Sequence, residues 1–338
     1  MVTITDIANA CGVSRATVSK ALNGASDISA ETAERVREQA RALGYLPNAT
    51  ARTLKLGRSH NIGILFVDKT SSGLTHEFFS HILESAKAEA ERHGYDITFI
   101  SKDIGTFKMD YYEHAKYRNC DGVLIASVDF ADPAVIRLVN SEIPTVTIDY
   151  IFDSHTAVIS DNVRGVEELV GYAAAKGHRK IAFIHGEMTS VTQKRLASFY
   201  KTCELLNIPV PVEYVRQATY HDPRASGLAT RELLKLRDRP TCILYPDDYS
   251  YIGGMNELER QNISVPGEIS VMGYDGIPLS EVLRPKLTTY RQDADGMGRA
   301  AANALVESIE QPKLWLPQTH LIPGRLIEGD TVRTLNKD

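Results

Sequence analysis

From residue 60 onward, short apolar runs alternate with stretches of helical period, and that alternation restricts the fold more than any other feature of the chain. The runs are Ile62-Gly-Ile-Leu-Phe-Val67, Ile97-Thr-Phe-Ile100, Gly122-Val-Leu-Ile-Ala126, Thr145-Val-Thr-Ile148, Ile181-Ala-Phe-Ile184, Cys242-Ile-Leu-Tyr245 and Ile269-Ser-Val-Met272. Helical stretches between them include Phe78–His93, Arg164–Lys176 and Val191–Leu206. A strand that is apolar on both faces and alternates with helices belongs to a parallel sheet covered on both sides. The runs are too many for one comfortable sheet. The expected body is therefore two doubly wound α/β lobes with a cleft between them, where ligands sit at the C-terminal ends of the strands.

The first sixty residues differ in charge. They carry eight Lys/Arg against five Asp/Glu, although the 338-residue chain has a net charge of −5. A basic head on an acidic body suits one segment meeting phosphate while the rest is repelled from it. Thr3-Ile-Thr-Asp6 has the capping-box pattern that opens a short helix, with Ile7 and Ala8 on its inner face. Gly12 ends that helix and Val13 fills the turn. Ser14 caps a second helix, Arg15–Asn23, in which Val18 and Leu22 face inward and Arg15, Ala16, Ser19 and Lys20 face outward. A third helix is expected from Ser29 to Gly44, with Val36, Ala40 and Leu43 inward. Helix, glycine turn, helix and supporting helix make a helix-turn-helix unit, whose second helix presents its N-terminal residues to the major groove. Arg15 can bond bidentately to guanine, Ala16 can touch a thymine methyl, and Lys20 can reach guanine or phosphate. Ser19 shares that face, and Thr3, Ser14, Thr17 and Asn23 are assigned to the DNA backbone. Pro47 stops the third helix, and Asn48 can cap a short helix containing Ala51, Arg52, Leu54 and Lys55. A helix that short should form only against a partner.

The residues Ile4-Thr-Asp-Ile-Ala8, Gly12-Val-Ser14, Ala16-Thr-Val-Ser19, Leu22-Asn23 and Gly44-Tyr-Leu-Pro-Asn-Ala-Thr-Ala-Arg-Thr-Leu54 closely resemble the headpiece of the LacI/GalR repressors. The resemblance implies that the helix containing Asn48, Ala51, Arg52, Leu54 and Lys55 is a hinge that folds in the minor groove beside its dimer mate, with Leu54 wedged into a base step. It extends over the body through Phe78-Phe79, Asp121-Gly122, Ile143-Pro144, Ile148-Asp149, Ser160-Asp-Asn162, Gly177-His-Arg-Lys-Ile181, Val265-Pro266, Gly273-Tyr-Asp275 and Pro285-Lys-Leu-Thr-Thr289, which resemble the periplasmic-binding-protein-like part of that family. The implied organisation is a headpiece at 1–45, a hinge and linker at 46–59, and a ligand-binding and dimerisation domain at 60–338. Its first lobe would comprise 60–161 and 291–321, and its second 162–290 and 322–338.

By matching position, Phe78 or Phe79 and Tyr220 would be stacking platforms for a ligand. Arg195, Asp149 and Asp275 would be polar anchors, with Asp247 a fourth. For Arg195 and Asp275 an inter-lobe salt bridge or helix cap is the competing reading, and His76 could reach the cleft or sit in an exposed loop. The family often has Asn-Asp where this chain has Asp247-Asp248, and Gly where Ser198 precedes Phe199. Carboxylates accept but do not donate, so three of them beside one arginine favour a donor-rich neutral sugar or glycoside over a phosphorylated ligand.

No stretch of 18 apolar residues and no basic-then-apolar leader is present, so a cytoplasmic protein with no membrane partner is expected. Cys11, Cys120, Cys203 and Cys242 lie far apart without a CxxC pair, and neither a metal nor a cofactor is expected. There is no P-loop, GxSxG, HExxH or strand-following GxGxxG to make an enzyme the better reading. A transport binding protein would need a secretion signal and no headpiece. Within regulation, a corepressor-dependent or global regulator answering to a non-sugar ligand or a partner protein is the alternative. One headpiece reads only a half-site, so a homodimer on a palindromic operator is expected. Without leucine heptads near Leu335, a tetramerising coiled coil is not.

Overall fold

The computed structural model describes residues 2–22, 24–25, 27–45, 57–67 and 73–335. The chain divides into two compact units, Met1–Ser59 and His60–Asp338. Asn23 and the expected hinge residues Asn48, Ala51, Arg52, Leu54 and Lys55 lie outside the described residues.

The first unit contains α1 (Ile4–Cys11), α2 (Arg15–Leu22) and α3 (Ala30–Ala42). Thr3 and Asp6 form the reciprocal capping box of α1, and Gly12 ends the helix in the left-handed region, at φ 63°. Ser29 caps α3 through the Thr32 amide. Ile7, Ala8, Val18, Ala21, Ala33, Val36 and Ala40 make a small core. Two inward assignments differ from the sequence reading. Ala21 is buried while Leu22 is only half-buried, and Leu43 stands at the C-cap with over a third of its surface exposed. Tyr45 packs on that core instead, from just beyond the helix end.

The second unit begins with β1 (Asn61–Phe66), α4 (Glu77–Arg92), β2 (Asp96–Ile100), α5 (Tyr111–Tyr117), β3 (Gly122–Ala126), α6 (Pro133–Val139), β4 (Thr145–Ile148) and β5 (Thr156–Ser160). It continues with α7 (Asn162–Ala175), β6 (Ile181–His185), α8 (Ser190–Leu205), β7 (Val215–Gln217), α9 (Pro223–Leu234), β8 (Cys242–Leu244), α10 (Asp248–Arg260) and β9 (Ser270–Asp275). It closes with α11 (Leu279–Val282), β10 (Thr288–Arg291), α12 (Ala294–Glu310), β11 (Thr319–Ile322) and β12 (Arg325–Ile327). The strands form two six-stranded sheets of the same plan, ordered β11-β5-β4-β3-β1-β2 and β12-β10-β9-β8-β6-β7. Every pairing is parallel except β10 with β12. The chain passes between sheets after β5, between β10 and α12, and between β11 and β12.

Period-two alternation explains why both faces of each strand are apolar. Ile64, Leu124 and Ala126 enter the core under α4 and α12, whereas Leu65, Val123 and Ile125 enter the opposite core with Tyr111 and Leu138. In the second sheet Ile181 and Phe183 face α7 and α8, and Ala182 and Ile184 face the other way. Among the described residues, no helix is long and apolar enough to cross a membrane.

The pairing of α4 with α12 is unusually close at Gly298. A Cβ there would lie 2.3 Å from the Ile82 carbonyl oxygen and 2.8 Å from the Ala86 amide nitrogen, both backbone atoms that cannot rotate aside. Gly298→Ala should therefore push the helices apart and cost about 1–3 kcal/mol or more in chemical denaturation. An unchanged midpoint would show that the helices are not held at this separation.

Candidate functional site

Two sets of residues stand out, one in each unit. In the first unit, Ser14 Oγ accepts the Thr17 amide at 3.0 Å and exchanges a second hydrogen bond with the Thr17 hydroxyl at 2.8 Å. The first turn of α2 is thereby fixed, with Arg15 and Ala16 exposed, Ser19 half-buried, and Lys20 exposed and paired with Asp27. Both partners of that pair are more than half exposed, so it costs little for Lys20 to exchange Asp27 for phosphate or a base. The Thr3 hydroxyl is engaged with Asp6, whose carboxyl is held below its ordinary range first by the Thr3 amide. Arg15, Ala16, Ser19 and Lys20 thus share one solvent-facing surface of a helix whose other side, Val18 and Ala21, is core.

In the second unit, most candidate side chains sit at or just past the C-terminal ends of strands in both sheets, the position that a doubly wound topology leaves open. Arg195, on the second turn of α8, is only 4% exposed. Its Nε donates to Asn162 Oδ1 at 2.7 Å and its Nη1 to the Pro246 carbonyl at 3.0 Å. The guanidinium lies 3.5 Å from the centroid of the Tyr274 ring and 5.7 Å from that of Tyr220. Asp149, just past β4, has φ 57° and accepts the Ser160 amide at 2.9 Å, while its carbonyl accepts the Ser190 hydroxyl at 3.1 Å. Asp275, the last residue of β9, has φ 95° and accepts from Gln292 Nε2 at 2.7 Å. Tyr220 bonds the Thr192 hydroxyl at 2.8 Å.

Asp149, Arg195, Tyr220 and Asp275 therefore belong to one electrostatic cluster. Removal from water pushes the Asp149 carboxyl upward, and pushes that of Asp275 up to about 7 against the pull of the Arg195 charge. One guanidinium offsets only part of the cost of burying these carboxylates, which is why both are pushed upward.

The other expected ligand residues divide. Phe78, in the core of the first lobe, lines the same cavity as Asp275, whereas Phe79 is half-buried against Phe66 and His76. Asp247 caps α10. Its carboxylate accepts the Ser250 amide at 2.7 Å, the Ser250 hydroxyl at 2.7 Å and the His221 amide at 2.9 Å. These protein donors occupy the acceptor capacity that the sequence reading offered to a ligand. Asp248, fully buried, accepts from Thr289 Oγ1 at 2.6 Å and the Ile277 amide at 3.0 Å, and burial holds its carboxyl well above the ordinary range. Ser198 donates to the Val163 carbonyl at 2.6 Å and ties α8 to α7. Sequence reasoning did not assign roles to Asn162, Tyr274, Ser190 or Gln292. Asn162 and Tyr274 do sit inside the motifs Ser160-Asp-Asn162 and Gly273-Tyr-Asp275, which was the available signal. A cavity of about 610 Å³, lined by Asp275, Gln292, Arg291 and Gly324 among others, adjoins Asp275 where the chain crosses between lobes.

Residues 3–48 match the bacterial regulatory proteins of the lacI family, and residues 170–332 match the periplasmic binding protein-like domain. The chain is 31% identical over 317 residues to the "Probable HTH-type transcriptional repressor ExuR" of Bacillus subtilis, covering 93% of each. The chain belongs to the LacI/GalR family of transcriptional regulators. Another LacI/GalR relative, the HTH-type transcriptional repressor PurR of Vibrio cholerae, is 30% identical over 346 residues, with 100% of both chains covered. The lac repressor dimer bound to operator and the anti-inducer ONPF is similar at a TM-score of 0.80 and 25% identity, over 98% of this chain and 99% of that one. The CelR–cellobiose complex shares the fold at a TM-score of 0.72 and 22% identity, over 98% and 100%. LacI/GalR proteins are regulators rather than enzymes, and this chain joins the family's DNA-binding helix-turn-helix to its ligand-binding domain.

The raised Asp275 carboxyl makes a pH prediction. A carboxyl whose folded value of about 7 exceeds its ordinary 3.8 binds more protons in the native state, so stability falls as pH rises through that window and levels off above it. The slope contributed is at most about 1.4 kcal/mol per pH unit. Asp275→Asn should remove it, and its stability relative to wild type should rise between pH 4 and 7 in denaturant titrations. A stability difference independent of pH would contradict the raised carboxyl.

Proposed function

We propose that this regulator is a homodimeric, sequence-specific repressor that binds a palindromic operator and is controlled by a neutral sugar or glycoside. On this reading Arg15, Ala16, Ser19 and Lys20 read the major groove, with Arg15 supplying ~1–3 kcal/mol of discrimination for a guanine. Thr3, Ser14, Thr17 and Asn23 hold the backbone, while Asn48, Ala51, Arg52, Leu54 and Lys55 act at the minor groove. The similarity to an operator-bound repressor dimer supports the dimer, and two identical headpieces related by a two-fold axis require a palindromic site.

The observation that carries the ligand class is the cluster of Arg195 with Asp149, Asp275 and Tyr220 at facing strand ends. Carboxylates that have lost water are strong acceptors for ligand hydroxyls, the guanidinium is a fixed donor, and Tyr220 with Phe78 or Phe79 offers ring faces for a sugar's C–H side. A phosphate would meet two carboxylates for one cation. Asp247 supports this less than its sequence position suggests, because its oxygens serve α10. Ligand binding would favour one arrangement of the lobes, and whichever arrangement suits the hinge sets the sign of the response.

A thermal-shift screen of the full chain against neutral monosaccharides and glycosides should find a stabilising ligand, at about 2–4 kcal/mol when it exceeds its dissociation constant a hundredfold or more. Arg195→Leu should abolish the shift. Stabilisation by sugar phosphates or purines alone would overturn the ligand class.

A further inference from the structure

Five rings line up across the second unit, from Phe66 at the end of β1 through Phe79, His76 and His221 to Tyr249 on α10. Successive centroids are 5.4, 5.0, 4.1 and 4.0 Å apart. The last two contacts are nearly parallel stacks, with interplanar angles of 18° and 15°. Phe66, Phe79 and His76 belong to the lobe built on the sheet containing β1, and His221 and Tyr249 to the lobe built on the sheet containing β8. The 4.1 Å contact between imidazoles is therefore made from one lobe to the other.

Each half of the column is braced within its own lobe. His76 is the N-cap of α4, its amide bonded to the Gly73 carbonyl and its carbonyl to the Ser80 amide, and only 9% of it is exposed. His221 has φ 55° and donates its amide to Asp247, the cap of the helix that carries Tyr249. The neighbouring Asp222 amide donates to Ser250 Oγ on the same helix. These bonds fix the two backbones, and each imidazole also packs on a ring of its own lobe, His76 on Phe79 and His221 on Tyr249, so parting the lobes breaks the His76–His221 contact. The Ser190 hydroxyl on the Asp149 carbonyl is a second bond between lobes, beside the proposed ligand cluster.

We propose that His76, His221 and Tyr249 form an inter-lobe latch that holds the cleft closed and so sets how much of the closing free energy a ligand must supply. The proposal takes the cleft as the ligand cleft of the preceding section. Stacked rings favour the closed arrangement without consuming Arg195, Asp149 or Asp275, so the latch acts on lobe closure and not on the ligand-facing groups. His76 and His221 each lie next to a proposed ring platform, Phe79 and Tyr220, which places the latch at the edge of the cluster.

Hydrogen–deuterium exchange on the free, full-length protein tests this without ligand or DNA. His76→Ala should speed exchange about fivefold, the scale of one lost stacked pair. The change should appear on both lobes together, in segments 74–80, 186–192 and 218–222. His221→Asn, which tolerates the left-handed backbone, should do the same. His76→Phe should retain wild-type protection, because it keeps a ring to stack. Faster exchange confined to the mutated residue's own lobe, or a His76→Phe variant as open as His76→Ala, would overturn the latch. Failure of the sugar screen would leave this result standing, and loss of the latch would leave the ligand class standing.

Discussion

A guanidinium buried in the second lobe, within the field of Asp149 from the first, sets the terms for the body of this protein. Arg195 cannot be left unpartnered in a site from which water is excluded, and among the described residues no carboxylate forms an ion pair with it. Its compensation is assembled piecemeal. Asn162 comes from the start of α7, the Pro246 carbonyl from the end of β8, the Tyr274 face from β9, and the Asp149 and Asp275 fields from the ends of β4 and β9. These groups meet because each sheet is doubly wound and opens its strand ends toward the same cleft. The same arrangement leaves the carboxylates removed from water and short of positive charge, which pushes both upward.

The headpiece follows a different physical plan. Its core of seven small or medium side chains is minimal, and its helices are held largely by caps: Thr3 with Asp6, Ser14 with Thr17, and Ser29 with Thr32. A unit stabilised by local hydrogen bonds leaves one whole face of α2 free of packing duties, and that face carries Arg15, Ala16 and Lys20. In the body the candidate groups are buried and mutually constrained. In the headpiece they are exposed and wait for a partner of opposite charge.

Much of this was legible in the sequence because the signals were local. The capping box at Thr3, the glycine at position 12 and the apolar runs from Ile62 to Met272 each express their structure within a few residues. The short strands Val215–Gln217, Thr319–Ile322 and Arg325–Ile327 did not announce themselves. They lie at or next to sheet edges, where one side is solvated and an apolar run is not required. The roles of Asp247 and Asp248 were equally hidden. A carboxylate reads the same in sequence whether it points at a ligand or caps a helix, and only the placement of Ser250, His221, Thr289 and Ile277 decides. Telling Phe78 from Phe79 needs the register of α4, which turns the first into the core at the wall of the cavity beside Asp275 and the second toward His76. His76 itself could be a loop residue or a cleft residue on sequence grounds, and its partner His221 is 145 residues away, beyond any local signal.

The central claim is that one chain couples operator binding to the state of the Arg195 cluster. Fluorescence anisotropy on a labelled duplex from the chain's own upstream region, titrated with a ligand that stabilises the protein, tests it most directly. The account predicts that the ligand changes operator affinity of the wild type by tenfold or more, in either direction, and that Arg195→Leu binds the duplex as tightly as unliganded wild type but no longer responds. An Arg195→Leu variant that still responds fully, or a wild type whose operator affinity is indifferent to a ligand it binds, would contradict the coupling.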